Sequence, residues 1–459
     1  MAGAATVNIT PPVSDNDTED WYGQKQDFFV SGGTLTKRST ANHIHDDFHA
    51  RCLILDDNKT KLVFIVIDNV TASRELYDEA KKIINDETGI PVENILMSIT
   101  HTHSIGGARI DGSPFNGYQK FLIRRLADVV RIALNNMEPA QIGWGTGTLP
   151  DHLFVRRWIM KPGANVPNPF GGQDRVRMNP GIGNPDLLKP AGTPDPEFSF
   201  ISVQSTGGKP IALLANYSLH YVGGVPAGHI SADYFAVFAD RIQELLKADR
   251  QDPPFVGILS NGTSGDVNNI NYGGSPENYP PYKKIKIVAN DLAGEVFRIH
   301  NKIEFYNWVP LKVAHTELPL KIRKPDSEMI KYAKEAFNKP DKRVGPHGSE
   351  KFYHARALKM LEWPEYVNII LQTFSIGDLA IAAIPFETFS ETGLEIKEKS
   401  PFKTTFTIEM ANGGYGYLPT PEQHQLGGYE TWISINRVEK EASVKIVTKL
   451  LEMFATIHN

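Results

Sequence analysis

The 459 residues are 41% hydrophobic and 22% charged, so the chain is neither disordered nor fibrous and is long enough for one or more domains. A formal net charge of −5 gives no global reason to bind nucleic acid or an anionic membrane, and no apolar run approaches the ~18 residues that span a bilayer. A single cysteine, Cys52, excludes an internal disulfide and a zinc site of several thiolates, which leaves the 14 histidines as the first candidates for metal ligands.

Strand-like and helix-like segments alternate along the chain. Short apolar runs predict strands, and apolar residues that recur every three to four positions predict helices. In chain order the predicted elements are strands Arg51–Leu55 and Leu62–Asp68, helix Ala72–Asn85, strand Asn94–Thr100, helix Tyr118–Met137, strands Phe198–Val203 and Ile211–Leu219, helix Ala232–Ala248, strand Phe255–Ser260, helix Lys284–Ile303, strands Ile369–Ile376, Leu379–Ile384 and Thr404–Met410, and a closing helix from about Val438 to Thr456. This order predicts an α/β protein with large central mixed β-sheets flanked by helices.

Two segments interrupt this alternation. Residues 161–196 and 271–282 are rich in Pro, Gly and Asn and show little periodicity. Irregular segments of this length either line a binding site or decorate the surface. No internal repeat is visible in the sequence, so we expect a single domain over residues 1–459.

The N-terminal residues lack the basic start and the apolar run of a signal peptide. We therefore expect a cytoplasmic protein, or a periplasmic or secreted one if a leader has been removed.

Histidines follow two of the predicted strands. His101 and His103 come directly after the first of these strands and precede the pair Gly106-Gly107. Side chains two residues apart on a strand point to the same side, so the two imidazoles should project together. His220 also follows a strand and precedes two glycines. Paired imidazoles suit a zinc ion, although each histidine alone would equally fit a hydrogen-bonded turn.

Other polar residues also lie at strand ends. Asp266 and Asn268 follow one strand, where they offer polar contacts to a ligand or simply form a turn. Glu387 follows another strand, as a metal ligand or as a charge at a helix N-terminus. The pair Arg156-Arg157 opens the first irregular segment, either to recognise a carboxylate or as a solvated surface pair. Histidines and a carboxylate with an open position are typical of catalytic zinc.

These motifs resemble the catalytic domain of the neutral/alkaline non-lysosomal ceramidase family. The resemblance runs in order over nearly the whole chain. The stretches that carry it are Val7–Pro11, His45–Arg51, His101–Ser104, Arg156-Arg157, His220, Ile230–Asp233, Gly265–Val267, Pro385–Glu387 and Asn412–Glu430.

The resemblance implies a neutral ceramidase-like catalytic domain with one zinc ion per chain. In that family the ligands are the first His of the His-x-His, a later strand-end His, a Glu and a Tyr, which here are His101, His220, Glu387 and Tyr417. His103 and Arg156 would contact the scissile group and its developing charge, and Tyr417 would also take part in catalysis. The implied chemistry is hydrolysis of an amide by a metal-activated water.

The sequence departs from the family at positions that would contact substrate. Asn268 stands where the family carries a functionally important Ser, and Ile105-Gly106 replaces a Gly-Pro. The sequence ends at Asn459, so we expect no counterpart of the family's C-terminal immunoglobulin-like domain. Arg157, Asp266 and Asn268 are the expected substrate-binding residues, and ceramide itself becomes a doubtful substrate.

The sequence thus predicts a zinc-dependent hydrolase that cleaves an amide, ester or lactone in a small-molecule, lipid or glycan substrate. One alternative is a hydrolase or β-eliminating lyase acting on a uronate-containing glycan, with Arg156, Arg157 and Lys161 binding the carboxylate. A second alternative is a non-catalytic binding protein that keeps the scaffold. The sequence gives no oligomeric state.

Overall fold

The computed structural model describes residues 1–11, 29–31, 38–105, 114–341 and 344–458. The α-helices in these ranges are α1 (Arg74–Thr88), α2 (Gly117–Asn135), α3 (Asp233–Leu245), α4 (Lys283–His300), α5 (Ser327–Asn338), α6 (Glu350–Lys359), α7 (Ser390–Lys399), α8 (Pro421–Leu426) and α9 (Ala442–His458). Single 3₁₀ turns lie at Val92–Asn94, Met360–Glu362 and Tyr429–Thr431.

The strands of the described ranges are numbered in chain order. They are β1 (Ala2–Asn8), β2 (Phe29–Ser31), β3 (Arg38–Thr40), β4 (His43–Ile44), β5 (His49–Asp56), β6 (Lys61–Ile67), β7 (Ile95–Ile99), β8 (Ala140–Thr148), β9 (Phe154–Val155), β10 (Arg157–Met160), β11 (Val176–Met178), β12 (Leu187–Pro190), β13 (Glu197–Ser205), β14 (Pro210–Tyr217), β15 (His229–Ile230), β16 (Val256–Asn261), β17 (Val267–Asn268), β18 (Leu311–Lys321), β19 (Tyr366–Ile376), β20 (Leu379–Ile384), β21 (Glu387–Thr388), β22 (Thr404–Glu409) and β23 (Tyr417–Leu418).

Three four-stranded sheets repeat one topology. Sheet I has the order β1-β5-β6-β7, sheet II the order β8-β13-β14-β16, and sheet III the order β18-β19-β20-β22. In each sheet the first three strands are antiparallel neighbours and the fourth lies parallel to the third. A helix connects the third strand to the fourth (α1, α3 and α7), and a later helix covers the same sheet (α2, α4 and α9). The expected mixed sheets flanked by helices are confirmed.

The three sheets share one apolar core. Phe64 of sheet I, Ile201 of sheet II and Phe374 of sheet III are fully buried in it, and the rings of Phe64 and Phe374 lie 5.2 Å apart. The opposite face of each sheet packs against its own helices in a separate apolar cluster. Burying each such side chain stabilises the fold by about 1.5–3 kcal/mol. The layers therefore hold the three sheets in fixed relative positions.

The carboxyl ends of the parallel strand pairs meet. Ser98 of β7 forms an isolated antiparallel bridge with Ala411, which follows β22. Asn216 of β14 donates to the carbonyl of Thr407 in β22 at 3.1 Å. Loops that follow parallel strands of all three sheets are thereby brought to one place.

Each element predicted from the apolar pattern forms, with its ends shifted by a few residues. The pattern does not identify β1, β8 and β18, or the helices α5 and α6. Strand β8 contains three glycines, and β18 is largely half-exposed, so neither carries a strong apolar run. Residues 161–196 are not wholly irregular, because β11 and β12 both pair with β10. Among the described helices, none has both the length and the apolar character to cross a membrane.

Candidate metal centre

His101 lies two residues beyond the end of β7 and takes a left-handed backbone conformation, with φ of 61°. Its Nδ1 is 2.5 Å from the carbonyl oxygen of Val70. A carbonyl oxygen only accepts hydrogen bonds, so Nδ1 carries the proton and Nε2 presents a lone pair. The turn holds the imidazole in one tautomer and one orientation.

Three buried imidazoles converge at this point. One nitrogen of each of His101, His103 and His220 lies within 4.8 Å of the others. The Nε2 atoms of His101 and His103 are 3.2 Å apart, and the ring of His103 stacks on Tyr221 with centroids 3.9 Å apart. The two histidines of the His-x-His motif do meet, but through a turn rather than through strand alternation. The glycine pair 106–107 lies outside the described residues.

Glu387 and Tyr417 are brought together by a short parallel pairing. Strands β21 and β23 place Glu387 opposite Tyr417 in register. The Oε2 atom of Glu387 is 3.3 Å from Nε2 of His101. The N-terminus of α7 is instead capped by Asp266, whose Oδ1 accepts from the backbone N–H of Ser390 at 2.8 Å. Glu387 therefore faces the histidines, and Asp266 meets the helix N-terminus.

The donor set at this point fits a cation. The Nε2 atom of His220 and the Oε2 atom of Glu387 are buried and have no hydrogen-bond partner among the described residues. Unpaired buried acceptors are costly unless a proton or a cation lies between them. One proton cannot satisfy the facing nitrogens of His101 and His220 and the carboxylate oxygen of Glu387 together. Nitrogen and oxygen donors of this kind suit zinc and other divalent transition metals.

The ionisation of these groups also favours cation binding. Burial is the main cause that holds the pKa of His103 and of His220 well below the ordinary value, and their electrostatic coupling to His101 lowers it further. Burial alone would raise the pKa of Glu387, but its electrostatic interactions with His101, Tyr417 and Arg156 bring it below the ordinary value. Burial raises the pKa of Tyr417 well above its ordinary range. At neutral pH, His103 and His220 are therefore neutral and Glu387 is anionic.

Arg156 lies beside this group of donors. Its guanidinium donates to the carbonyl of Gly265 at 2.7 Å and to Glu430 at 3.2 Å, and it lies 5.2 Å from the ring centre of Tyr417. A side chain at Gly265 would place Cβ only 2.5 Å from the carbonyl oxygen of Glu387. Glycine at this position therefore lets the loop pack directly on the Glu387 backbone while its own carbonyl accepts from Arg156.

Arg157 is fully buried and bonded to protein groups. It donates to Glu430 at 2.6 Å and to the carbonyl of Gly427 at 2.7 Å, with longer contacts to Gln423. The alternative of a solvated arginine pair is wrong, because Arg156 and Arg157 both pair with the same buried carboxylate. Arg157 thus anchors Glu430, which in turn holds Arg156.

The two remaining predicted residues lie at β17, where Asp266 directly precedes the strand and Asn268 ends it. The Asp266 carboxylate is fully buried and accepts hydrogen bonds from the backbone N–H and the hydroxyl of Ser390. Burial raises the pKa of Asp266 to about 6 despite these hydrogen bonds. Asn268 donates to the Tyr272 hydroxyl at 2.9 Å and to Asn179 at 3.2 Å. Strand β17 pairs with β9, which ends next to Arg156. Asn268 therefore belongs to a polar wall near Arg156, whereas Asp266 lies behind it.

Two aromatic residues of this region are not among the site residues predicted from the sequence. Tyr221 follows His220 directly, and its ring covers His103. Tyr272 is nearly fully buried and comes from the irregular segment 271–282. In the sequence, a role in the site was indicated only by the position of Tyr221 next to a candidate ligand and of Tyr272 inside a candidate binding loop.

Comparison with known proteins gives a consistent result for the fold. No protein-family model matches the sequence. The neutral ceramidase from Pseudomonas aeruginosa superposes with a TM-score of 0.70 and 14% identity, over 99% of this chain and 74% of that chain. A ceramidase complexed with C2 superposes with the same TM-score and identity, over 100% of this chain and 75% of that chain. The fold expected from the resemblance is thus confirmed: this chain has the fold of neutral ceramidase, at 14% sequence identity.

Proposed function

We propose that the protein is a zinc-dependent hydrolase of an amide, ester or lactone bond, with His101, His220, Glu387 and Tyr417 as metal ligands. The convergence of unpaired, buried nitrogen and oxygen lone pairs at the meeting point of the three sheets carries this proposal. The fold is similar to that of two proteins named as ceramidases, and this similarity supports the proposal.

The chain's own groups would bind and orient the scissile bond. A bound Zn²⁺ supplies a Lewis acid and lowers the pKa of a water to about 7. His103, held against Tyr221, is neutral and lies next to His101, so it is suited to exchange a proton with the reacting group. Arg156 carries a buried positive charge beside Tyr417, where it would stabilise an oxyanion.

The polar wall near Arg156 favours a substrate more polar than ceramide. Asn268, Tyr272 and Asn179 form a hydrogen-bonded group with amide and hydroxyl functions. Such groups select substrates that can satisfy their hydrogen bonds and reject those that leave them unpaired. We propose a compact acyl or lactone substrate that carries polar groups on its leaving-group side.

The uronate alternative receives less support. It requires free cationic groups, but Arg157 is bonded to Glu430, and Lys161 donates to the carbonyl of Pro185 at 2.6 Å. We therefore do not propose a lyase.

A substrate panel tests the proposal. The zinc-loaded protein is assayed on short N-acyl amides, esters, lactones, N-acyl sphingosine and uronate-containing glycans, with His101→Ala as the inactive control. We expect hydrolysis in at least one of the first three classes, loss on chelation and recovery with zinc. A product absorbing in the ultraviolet from the glycans would favour the lyase, and a zinc-loaded protein without any turnover would favour the binding protein.

A further inference from the structure

A buried chain of three side chains stands behind His220. The Nδ1 atom of His220 is 3.2 Å from the hydroxyl oxygen of Ser264. Ser264 in turn donates its hydroxyl to Oε1 of Glu409 at 2.6 Å. Less than 2% of each of the three residues is exposed. Glu409 was not a candidate from the sequence, and it touches none of the proposed substrate-binding groups.

The direction of these hydrogen bonds determines the tautomer of His220. Oε2 of Glu409 accepts from the backbone N–H of Thr388 at 2.6 Å and of Ser264 at 3.3 Å. Ser264 has one hydroxyl proton, and when it is given to Glu409 the oxygen can only accept from His220. Nδ1 of His220 then carries a proton, and Nε2 keeps its lone pair. That Nε2 atom is the buried nitrogen without a hydrogen-bond partner among the described groups.

The arrangement matches the one at His101. There a backbone carbonyl, that of Val70, accepts from Nδ1 and leaves Nε2 available. Histidine ligands of metals commonly donate their other N–H to a carbonyl or carboxylate, which fixes the ring and its tautomer. At His220 the same task falls to side chains, which can be changed by substitution.

Glu409 also contacts the strand that carries Glu387. Its bond to the backbone N–H of Thr388 fixes the residue that follows Glu387 in β21. The Glu409 carboxylate, at the end of β22, thus binds two groups next to proposed ligands. One is Ser264, which contacts His220 after sheet II, and the other is Thr388, which follows Glu387 after β20 of sheet III.

We propose that Ser264 and Glu409 form a positioning pair that keeps His220 in the Nδ1–H tautomer and leaves its Nε2 available to the metal. This inference rests on the proposed metal site. The opposite arrangement has a neutral Glu409 that donates to Ser264, so that Ser264 donates to Nδ1 and the proton of His220 moves to Nε2. Burial raises the pKa of Glu409 well above its ordinary value, which favours the neutral carboxyl group, whereas the hydrogen bonds from Ser264 and Thr388 lower this pKa and favour the carboxylate. Direct observation of the His220 tautomer distinguishes the two arrangements.

The tautomer is read in metal-free protein labelled with ¹⁵N-histidine, from the long-range ¹H–¹⁵N correlations of His220, assigned with His220→Gln. We expect Nδ1–H in the wild type. An Nε2–H signal would overturn the proposal. This readout needs no metal, so it succeeds or fails separately from the proposed function, which is lost if the wild type binds no zinc.

Zinc affinity by chelator competition is the second readout. Ser264→Ala removes one oxygen atom and should weaken zinc binding about 10–100-fold, with mixed tautomers at His220. Ser264→Thr keeps the hydroxyl and should restore both properties. Unchanged affinity in Ser264→Ala would contradict a positioning role.

Glu409→Gln has a matched control elsewhere in the chain. Glu350 is also fully buried and accepts backbone N–H groups, from His347 at 2.9 Å and Gly348 at 3.1 Å. We expect both Glu→Gln variants to lower the unfolding midpoint, but only Glu409→Gln to weaken zinc binding. An equal zinc affinity in the two variants would assign Glu409 a purely structural role.

Discussion

His101 shows how a single residue prepares the site. A non-glycine residue with φ near +60° costs about 1–2 kcal/mol relative to an ordinary conformation. Such strain persists where the surrounding structure fixes it, as the Val70 carbonyl does here, and it clusters at functional positions. The strained turn aims Nε2 of His101 at Glu387, His103 and the region of His220.

Single substitutions test the different roles proposed for His101, as a metal ligand, and for His103, as a proton-exchanging group. We expect His103→Ala to retain zinc but to lose turnover by about 10²-fold or more, because His103 exchanges protons and is not a ligand. His101→Ala should lose the metal itself. Zinc content and rate are measured on the same preparations.

Loss of zinc in His103→Ala would contradict this assignment. All three imidazoles lie within 4.8 Å of one another, so that result would identify His103 as the third nitrogen ligand.

At the scale of elements, strand ends position most of the candidate residues. The apolar runs predicted β7, β14 and β20 well, and therefore also the positions of His101, His220 and Glu387 just beyond them. The pattern could not predict the left-handed turn at His101 or the two-residue pairing of β21 with β23. Both depend on contacts between segments distant in sequence, which local periodicity does not encode.

The pairing of β21 with β23 leads to a prediction for Tyr417. Tyr417→Phe removes only the hydroxyl and keeps the ring, which packs in an apolar cluster with Phe389 and Ile435. We expect weaker zinc binding or slower turnover, with an unchanged far-ultraviolet circular dichroism spectrum. If zinc affinity and rate both equal those of the wild type, Tyr417 is neither ligand nor catalytic residue.

The shared carboxylate of Glu430 leads to a prediction for stability. Glu430→Ala leaves the buried guanidinium groups of Arg156 and Arg157 without their anion, so we expect a loss of about 3–5 kcal/mol in the free energy of unfolding. Glu395→Ala, which breaks an exposed pair with Lys399, is the control and should leave denaturation almost unchanged. Equal effects of the two substitutions would show that the arginines do not depend on Glu430.

At the scale of the whole molecule, the site is assembled from all three repeated sheets. His101 follows the last strand of sheet I, and His220 follows the third strand of sheet II. Glu387 and Tyr417 follow the two parallel strands of sheet III. This threefold repeat is not visible in the sequence, because a shared strand order does not require shared side chains. The alternation of strands and helices was enough to predict the fold class, but the convergence of the three sheets becomes visible only in the structure.

The measurement that tests this account most directly is the metal content of protein purified without added metal, by elemental analysis, with His101→Ala purified in parallel. The account predicts about one zinc per wild-type chain and none in the variant. Zinc at the same level in both proteins would place the metal elsewhere. A wild-type protein that stays metal-free even after incubation with zinc would contradict the central claim.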